Sequence, residues 1–243
     1  MSPDRTLAIA VRILRQIRRD RRSLGLIIVA PLVVMALVGF SFIDQPVVLN
    51  RIAPALLGVF SLLFTFMLTG VSFLRERAQG TQERLLTTPV STADVLVGYL
   101  LGFLVLAGIQ SLLLLAFAIG VLEVEYQGSL WQILLLLFLL TIVGVNLGIF
   151  VSTFANNELQ VVQFIPIVLS PQIFLSGVIL PVSQMPGYLQ GASNFLPLTY
   201  AVRGLRETMI QGKGLAEVGS ELGMLALFAV ALIAAAATTA RRA

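Results

Sequence analysis

From residue 24 to residue 43 the chain carries no charged side chain, and the same holds from 52 to 74. A helix crosses the hydrocarbon core of a bilayer with about 20 mostly apolar residues. Each block is therefore long enough to span. Four more uncharged blocks follow, at 95–122, 130–154, 159–180 and 222–239. Apolar residues run through them continuously and do not alternate as the strands of a membrane barrel would. Lipid offers no water to backbone N–H and C=O groups, and a helix satisfies them internally. The expected fold is an all-α integral membrane protein, one transmembrane domain over 1–243 with six transmembrane helices. The block at 95–122 is long enough to tilt. The one at 159–180 is expected to be broken by Pro166 and Pro171. The first block is too long for the apolar core of a signal peptide and is expected to remain as an anchor.

Composition agrees. Of the 243 residues, 58% are hydrophobic and 12% charged, where a soluble domain carries about 25% charged residues. There is no cysteine and no histidine. Disulfides and thiolate sites are thereby excluded, and the commonest metal ligand and general base are missing. No metal site and no catalytic residue is expected. The isoelectric point near 10.1 would suit nucleic acid in a soluble chain. Here it fits arginine anchors facing anionic lipid, so membrane lipid and no nucleic acid is the expected contact.

Arginine placement sets the expected orientation. Seven arginines lie between Arg5 and Arg22, three more are Arg75, Arg77 and Arg84, and Arg241 and Arg242 close the chain. With six spans all three groups fall on one side, which the positive-inside rule makes cytoplasmic. The N- and C-termini are then cytoplasmic. The excess of Arg over the single Lys213 points to a GC-rich prokaryotic genome and hence to the inner, cytoplasmic membrane of a prokaryote.

At the N-terminus, Leu7, Ala10, Val11, Leu14 and Ile17 recur at helical spacing, and Arg5, Arg12, Arg15, Arg19 and Arg22 line another side. This predicts an amphipathic interfacial helix over 4–22. It serves either as an orientation signal alone or as a partner contact.

Between the second and third blocks lies "RERAQGTQERLLTTPVS". In helical form Leu74, Ala78, Thr81 and Leu85 make one stripe. Glu76 and Glu83 share a second face, and Arg77 and Arg84 a third. Gly80 is a place to bend, and Pro89 ends the helix. Ser91 to Asp94 reads as a capping box that opens the third span, with Ser91 as N-cap. The segment 75–94 is thus either a compact ordered element or an ordinary solvated turn.

Six polar residues sit inside the spans: Thr65, Thr69, Gln110, Asn146, Gln163 and Gln172. Such groups mark either helix–helix contacts or a transport pathway. The outer segment 181–221 is too polar for a seventh span. It is either a surface loop or a membrane-touching element, turned by Pro186, Gly187 and Pro197, with Tyr188 and Tyr200 as interfacial anchors.

Two stretches resemble the ABC-2 type transporter permeases. One is "FLRERAQGTQERLLTTPVSTADVLVGYLL", with Glu76-Arg77, Gly80-Thr81, Glu83, Leu85-Leu86 and Pro89-Val90 in the family's order. The other is "PLTYAVRGLR" between the fifth and sixth spans, with Pro197, Leu198, Thr199, Tyr200 and Arg206. The resemblance covers nearly the whole chain. It implies a short cytoplasmic coupling helix between spans 2 and 3, whose residues Glu76, Arg77, Gly80, Thr81, Glu83, Arg84, Leu85 and Pro89 meet an ATPase. Glu76, Arg77, Glu83 and Arg84 would contact that partner as rim charges, which supply register more than affinity. It implies re-entrant outer helices between spans 5 and 6. It also implies an ABC ATPase (nucleotide-binding) subunit in two copies, carrying ATP and Mg, and a second permease chain as homodimer or heterodimer. The function so implied is ATP-driven export of an apolar or amphiphilic substrate, by likeness to the multidrug and antibiotic efflux branch. A polysaccharide or lipid-linked glycan cargo is the alternative.

No cofactor is expected on this chain and no enzyme activity of its own. A P-loop needs a lysine after its second glycine, and the one lysine stands in "QGKGLAE" without the upstream glycine spacing or the following hydroxyl. Two other classes stay open: a membrane-embedded enzyme and a non-transporting scaffold. No span carries a charge ring or a fixed central charge, which argues against an ion pore and an ion-coupled carrier.

Overall fold

The structure is a computed structural model and describes residues 2–78 and 91–240. Helices run through all six apolar blocks, and no strand occurs among the described residues. In chain order the helices are α1 (Pro3–Arg19), α2 (Arg21–Ser41), α3 (Pro46–Ala78), α4 (Thr92–Gly120), α5 (Leu130–Ser152) and α6 (Glu158–Leu175). A 3₁₀ turn (Val182–Gln184), α7 (Gly187–Ser193), α8 (Pro197–Gln211) and α9 (Gly219–Ala240) follow. Five of them, α3, α4, α5, α6 and α9, are long and apolar enough to cross a membrane. In α2 the apolar helix Ile28–Ser41 is shorter than that measure.

The centre of the bundle is the crossing of α3 and α5. Glycine makes it close. A Cβ at Gly144 would lie 2.9 Å from Thr65 Cγ2, and one at Gly148 would lie 2.9 Å from the Phe66 carbonyl oxygen. Small residues at such spacing let helices approach in lipid, where burial of apolar surface gives no preference for a neighbour over a lipid tail. Helix α9 packs on α5 from the other side.

α3 has 33 residues, about 50 Å at 1.5 Å per residue. That exceeds a hydrocarbon core of about 30 Å, so one end of α3 projects beyond it. α6 departs from the expected break. It stays helical through Pro166 and Pro171. Each proline removes one N–H from the ladder, and the remaining bonds hold the helix together. The amphipathic N-terminal segment ends at Arg19, earlier than expected, and Asp20 breaks it from α2 with ψ at 77°.

The buried face of α1 is not the stripe read from the sequence, and only Ala10 belongs to both. Thr6, Ile9, Ala10 and Ile13 are buried. Ile9 and Ile13 share a core with Phe73, Val95, Tyr99 and Phe103. Leu7 stays exposed on the outer side. The contact with α4 runs over Gly98 and Gly102, where a Cβ would meet Ile9 Cβ at 2.7 Å and Ile13 Cβ at 3.1 Å respectively.

Candidate functional site

Three consecutive residues near the C-terminal end of α3 reach three different neighbours. Successive helical side chains turn by about 100°, so Arg75, Glu76 and Arg77 cannot share a face. Arg75 grips Glu158 at the start of α6 with two parallel bonds, Nε to Oε1 at 2.7 Å and Nη2 to Oε2 at 2.9 Å. This fork-to-fork geometry is the directional form of an ion pair. Arg77 donates from Nη1 to the Thr153 carbonyl oxygen at 3.1 Å. Thr153 is the C-cap of α5, where unpaired carbonyls and the helix dipole favour a cation.

Glu76 points inward. It is 4% exposed. Its Oε2 accepts from Arg12 Nη2 at 2.8 Å and from the Tyr99 hydroxyl at 2.7 Å. Its Oε1 accepts from Gln16 Nε2. Arg12 and Gln16 are four residues apart, so they stand one turn above each other on the same face of α1. A buried carboxylate costs several kcal/mol unless it is paired and hydrogen-bonded, and here three donors from two helices surround it. Phe73 and Phe103 pack on the Tyr99 ring with centroids 5.5 and 6.0 Å away, which holds the phenol in place.

Nearer the N-terminal ends of both helices, α1 is fastened to α4 again. Ser91 and Asp94 form the capping box that the sequence predicts. The Ser91 hydroxyl donates to Asp94 Oδ2 at 2.7 Å and itself accepts from the Asp94 N–H at 3.2 Å. The other carboxylate oxygen, Oδ1, accepts from the Ser2 N–H at 2.9 Å and lies 3.3 Å from the Thr6 hydroxyl. One aspartate thus caps α4 and ties down the start of α1.

Of the residues expected to meet an ATPase, Glu76 and Arg77 are described and both are engaged within the chain. Glu76 is not a rim charge, because α1 and α4 close over it. Gly80, Thr81, Glu83, Arg84, Leu85 and Pro89 lie outside the described residues. Gln16, Tyr99 and Glu158 escaped sequence reading, and Arg12 was placed only on the charged side of the N-terminal helix. Gly98 and Gly102 carried a usable signal, a small-xxx-small pair facing α1.

The second motif is buried. Pro197, Leu198, Thr199 and Tyr200 begin α8, which packs against α3, α5 and α9. Thr199 Oγ1 donates to the Ser193 carbonyl oxygen at 2.8 Å and the Tyr200 hydroxyl to that of Asn194 at 3.0 Å. Tyr200 is therefore not an interfacial anchor. Its ring meets Phe228 at 6.0 Å and lies under Arg203. Tyr188 is exposed. Arg206 donates from Nη1 to the Gly177 carbonyl oxygen at 2.7 Å.

The polar residues of the spans divide. Thr65 and Thr69 face Gly144 and Gly148 at the α3–α5 crossing. Asn146 donates to the Ile142 carbonyl oxygen at 2.8 Å, within its own helix. Gln163 is exposed on α6. Gln110 and Gln172 are buried, and among the described residues neither amide atom of Gln110 finds a partner. A chain of hydroxyls that the sequence did not single out joins three helices, with Ser61 to Ser111 at 2.6 Å and Ser111 to Thr141 at 3.1 Å.

The sequence profile described as ABC-2 type transporter matches residues 5–210. The chain belongs to the ABC-2 type transporter family. The ABC-2 match takes in both anchored ends of the α3–α4 connection and nearly all of α8. Similar proteins include the linearmycin resistance permease protein LnrN of Bacillus subtilis, 31% identical over 180 residues. That alignment covers 72% of this chain and 46% of LnrN. ABC transporter G family member 20 of Dictyostelium discoideum is 30% identical over 167 residues, 69% of this chain and 23% of that protein. The probable multidrug ABC transporter permease YbhR of Escherichia coli K12 is 29% identical over 152 residues, 61% of this chain and 40% of that one. The alignments span less than half the length of each of these relatives. The ABC-2 assignment and the apolar helices make the chain an integral membrane permease.

Proposed function

We propose that this chain is the membrane-spanning subunit of an ATP-binding cassette exporter. ATP and Mg are held by a separate ATPase subunit, present in two copies, and a second permease chain completes the pathway. Six helices span the cytoplasmic membrane of a prokaryote, with both termini inside. The cargo is apolar or amphiphilic, of the drug, antibiotic or lipid-like kind. The names of the relatives, multidrug permease and linearmycin resistance permease, support that class.

The observation that carries the reading is the set of bonds made by Arg75, Glu76 and Arg77. The segment 75–94 joins α3 to α4. A force applied to it by a partner reaches α6 through Arg75, α1 and α4 through Glu76, and α5 through Arg77. Glu83 and Arg84 are the charges that dock on the ATPase, and Glu76 is the internal brace that keeps α1 in step with α3. Rim charges of that kind set register and association rate. Gln110, buried without a partner among the described residues, faces the pathway or its water in the working assembly.

The test is co-expression with the ATP-binding protein encoded beside this chain, reconstitution in nanodiscs, and measurement of ATP turnover. Glu83→Ala combined with Arg84→Ala is expected to weaken ATPase binding or to abolish cargo-stimulated turnover. Failure of any ATPase to co-purify, together with unchanged behaviour of the double variant, overturns the reading.

A further inference from the structure

A second polar feature lies around Arg206 of α8. Beside Arg206 a cavity of about 580 Å³ opens between the end of α6, the 3₁₀ turn, α7 and α8. That volume lies in the range of small-molecule sites, about 300–1,000 Å³. Its lining includes Arg203, Arg206 and Glu207 together with Ser183, Asn194 and Gln211.

The charges around this cavity are not balanced. Glu207 pairs with Lys213 at 3.0 Å, outside the lining. Glu221 stands 3.8 Å from Arg203. Arg206 has no carboxylate partner among the described residues. Its guanidinium is held by the carbonyl oxygens of Gly177 and Val178, at 2.7 and 3.5 Å. Neutral carbonyls fix its orientation and leave its charge uncompensated, and its Nε is buried with no partner. Burial, and after it the charge of Arg51, hold the Arg206 guanidinium below its ordinary pKa. A half-buried guanidinium beside other cations favours an anion over empty space or water. The Ser183, Asn194 and Gln211 side chains make no hydrogen bond among the described residues and are exposed at the same cavity, so they are available as donors.

Part of the lining is apolar, with Pro181, Val182 and Val202. Ile179, Leu180 and Phe195, which lie close to lining residues in sequence, are exposed apolar side chains. A lining that combines two arginines with apolar side chains matches a molecule with a charged head and a greasy tail. We infer that this cavity binds an anionic group, a phosphate or carboxylate, with Arg206 and Arg203 facing it and the apolar side chains of the lining receiving the tail of an amphiphile that carries it. The site stands apart from the transport reading, since binding to it is measured without ATP or an ATPase.

The test is calorimetric titration of the full chain in a neutral maltoside detergent. The probes are dihexanoyl phosphatidic acid, dihexanoyl phosphatidylcholine and inorganic phosphate. Phosphatidic acid is expected to bind, and Arg206→Gln to weaken it at least tenfold. Arg203→Gln and Ser183→Trp test the same cavity without removing the bond to Gly177, and each is expected to weaken binding several-fold. Gly108→Ala, on α4, where a Cβ meets nothing within 4 Å, is expected to change nothing. Phosphatidic acid binding without phosphate binding supports the amphiphile. Phosphate binding with the same dependence on Arg206 and Arg203 supports the anion site with a free anion as its ligand. Absence of binding by both anions, equal binding of the choline lipid, or binding untouched by all three cavity variants overturns the inference.

Discussion

Arg12 of α1 reaches across 64 residues of sequence to place its Nη2 2.8 Å from the Glu76 carboxylate of α3. Glu76 is buried and Arg12 is about one-third exposed, so the pair is asymmetric. The carboxylate depends on its donors far more than the guanidinium depends on the carboxylate. Truncating one partner of such a pair leaves a buried charge uncompensated. Arg12→Ala should therefore destabilise the chain by about 1–3 kcal/mol. Tyr99→Phe, which keeps the ring among Phe73 and Phe103, should cost about 1.5–3 kcal/mol as the loss of a hydrogen bond to a charged group. Thermal unfolding in detergent checks both. A melting temperature unchanged in the two variants would show that Glu76 is satisfied elsewhere.

The seat of α1 on α4 makes a sharper comparison between two glycines of one helix. A Cβ at Gly98 would come within 2.7 Å of Ile9 Cβ and 3.0 Å of the Thr6 carbonyl oxygen, whereas one at Gly108 meets nothing within 4 Å. Gly98→Ala should lift α1 and cost about 1–3 kcal/mol, as overpacking does. Gly108→Ala should be neutral or slightly stabilising, since alanine is the better helix former. Limited proteolysis at the N-terminal arginines reads the difference, with faster cleavage expected in the first variant only. Equal rates would place α1 elsewhere.

Gln110 separates structure from function. Its amide is buried and unpartnered among the described residues, and such a group is costly in an apolar surrounding. Gln110→Leu should raise the melting temperature or leave it unchanged, and should lower cargo-stimulated turnover in the assembled transporter. A marked fall in melting temperature would show that the amide is bonded within the chain.

Gly212 ends α8 in the left-handed region, with φ at 65°. Most residues with a Cβ pay about 1–2 kcal/mol there. Gly212→Ala should destabilise the chain by about 1 kcal/mol, and Gly212→Asn by less, because asparagine tolerates this conformation. Equal melting temperatures for glycine and alanine at this position would contradict the cap.

By itself the sequence determined everything that depends on neighbours along the chain. Uncharged runs of bilayer length make apolar helices because lipid leaves the backbone no other partner. Ser91 caps α4 through Asp94, three residues on, so the motif was readable in one turn. Leu7 to Ile17 announced an amphipathic helix through its period. The prolines of α6 misled, because a proline's local cost is real and the rest of the helix outweighs it. Tertiary structure decided which faces meet. Glu76 sits among arginines in sequence and reads as a surface charge, yet α1 and α4 bury it with donors that lie 23 to 64 residues away. The stripe read on α1, Leu7 to Ile17, shares only Ala10 with the face that is buried, and the notch at Gly98 and Gly102 is what receives Ile9 and Ile13. Tyr200 looked like an interfacial anchor until α8 entered the bundle. Burial and pairing are properties of two segments at once, and a pattern carried by one segment cannot express them.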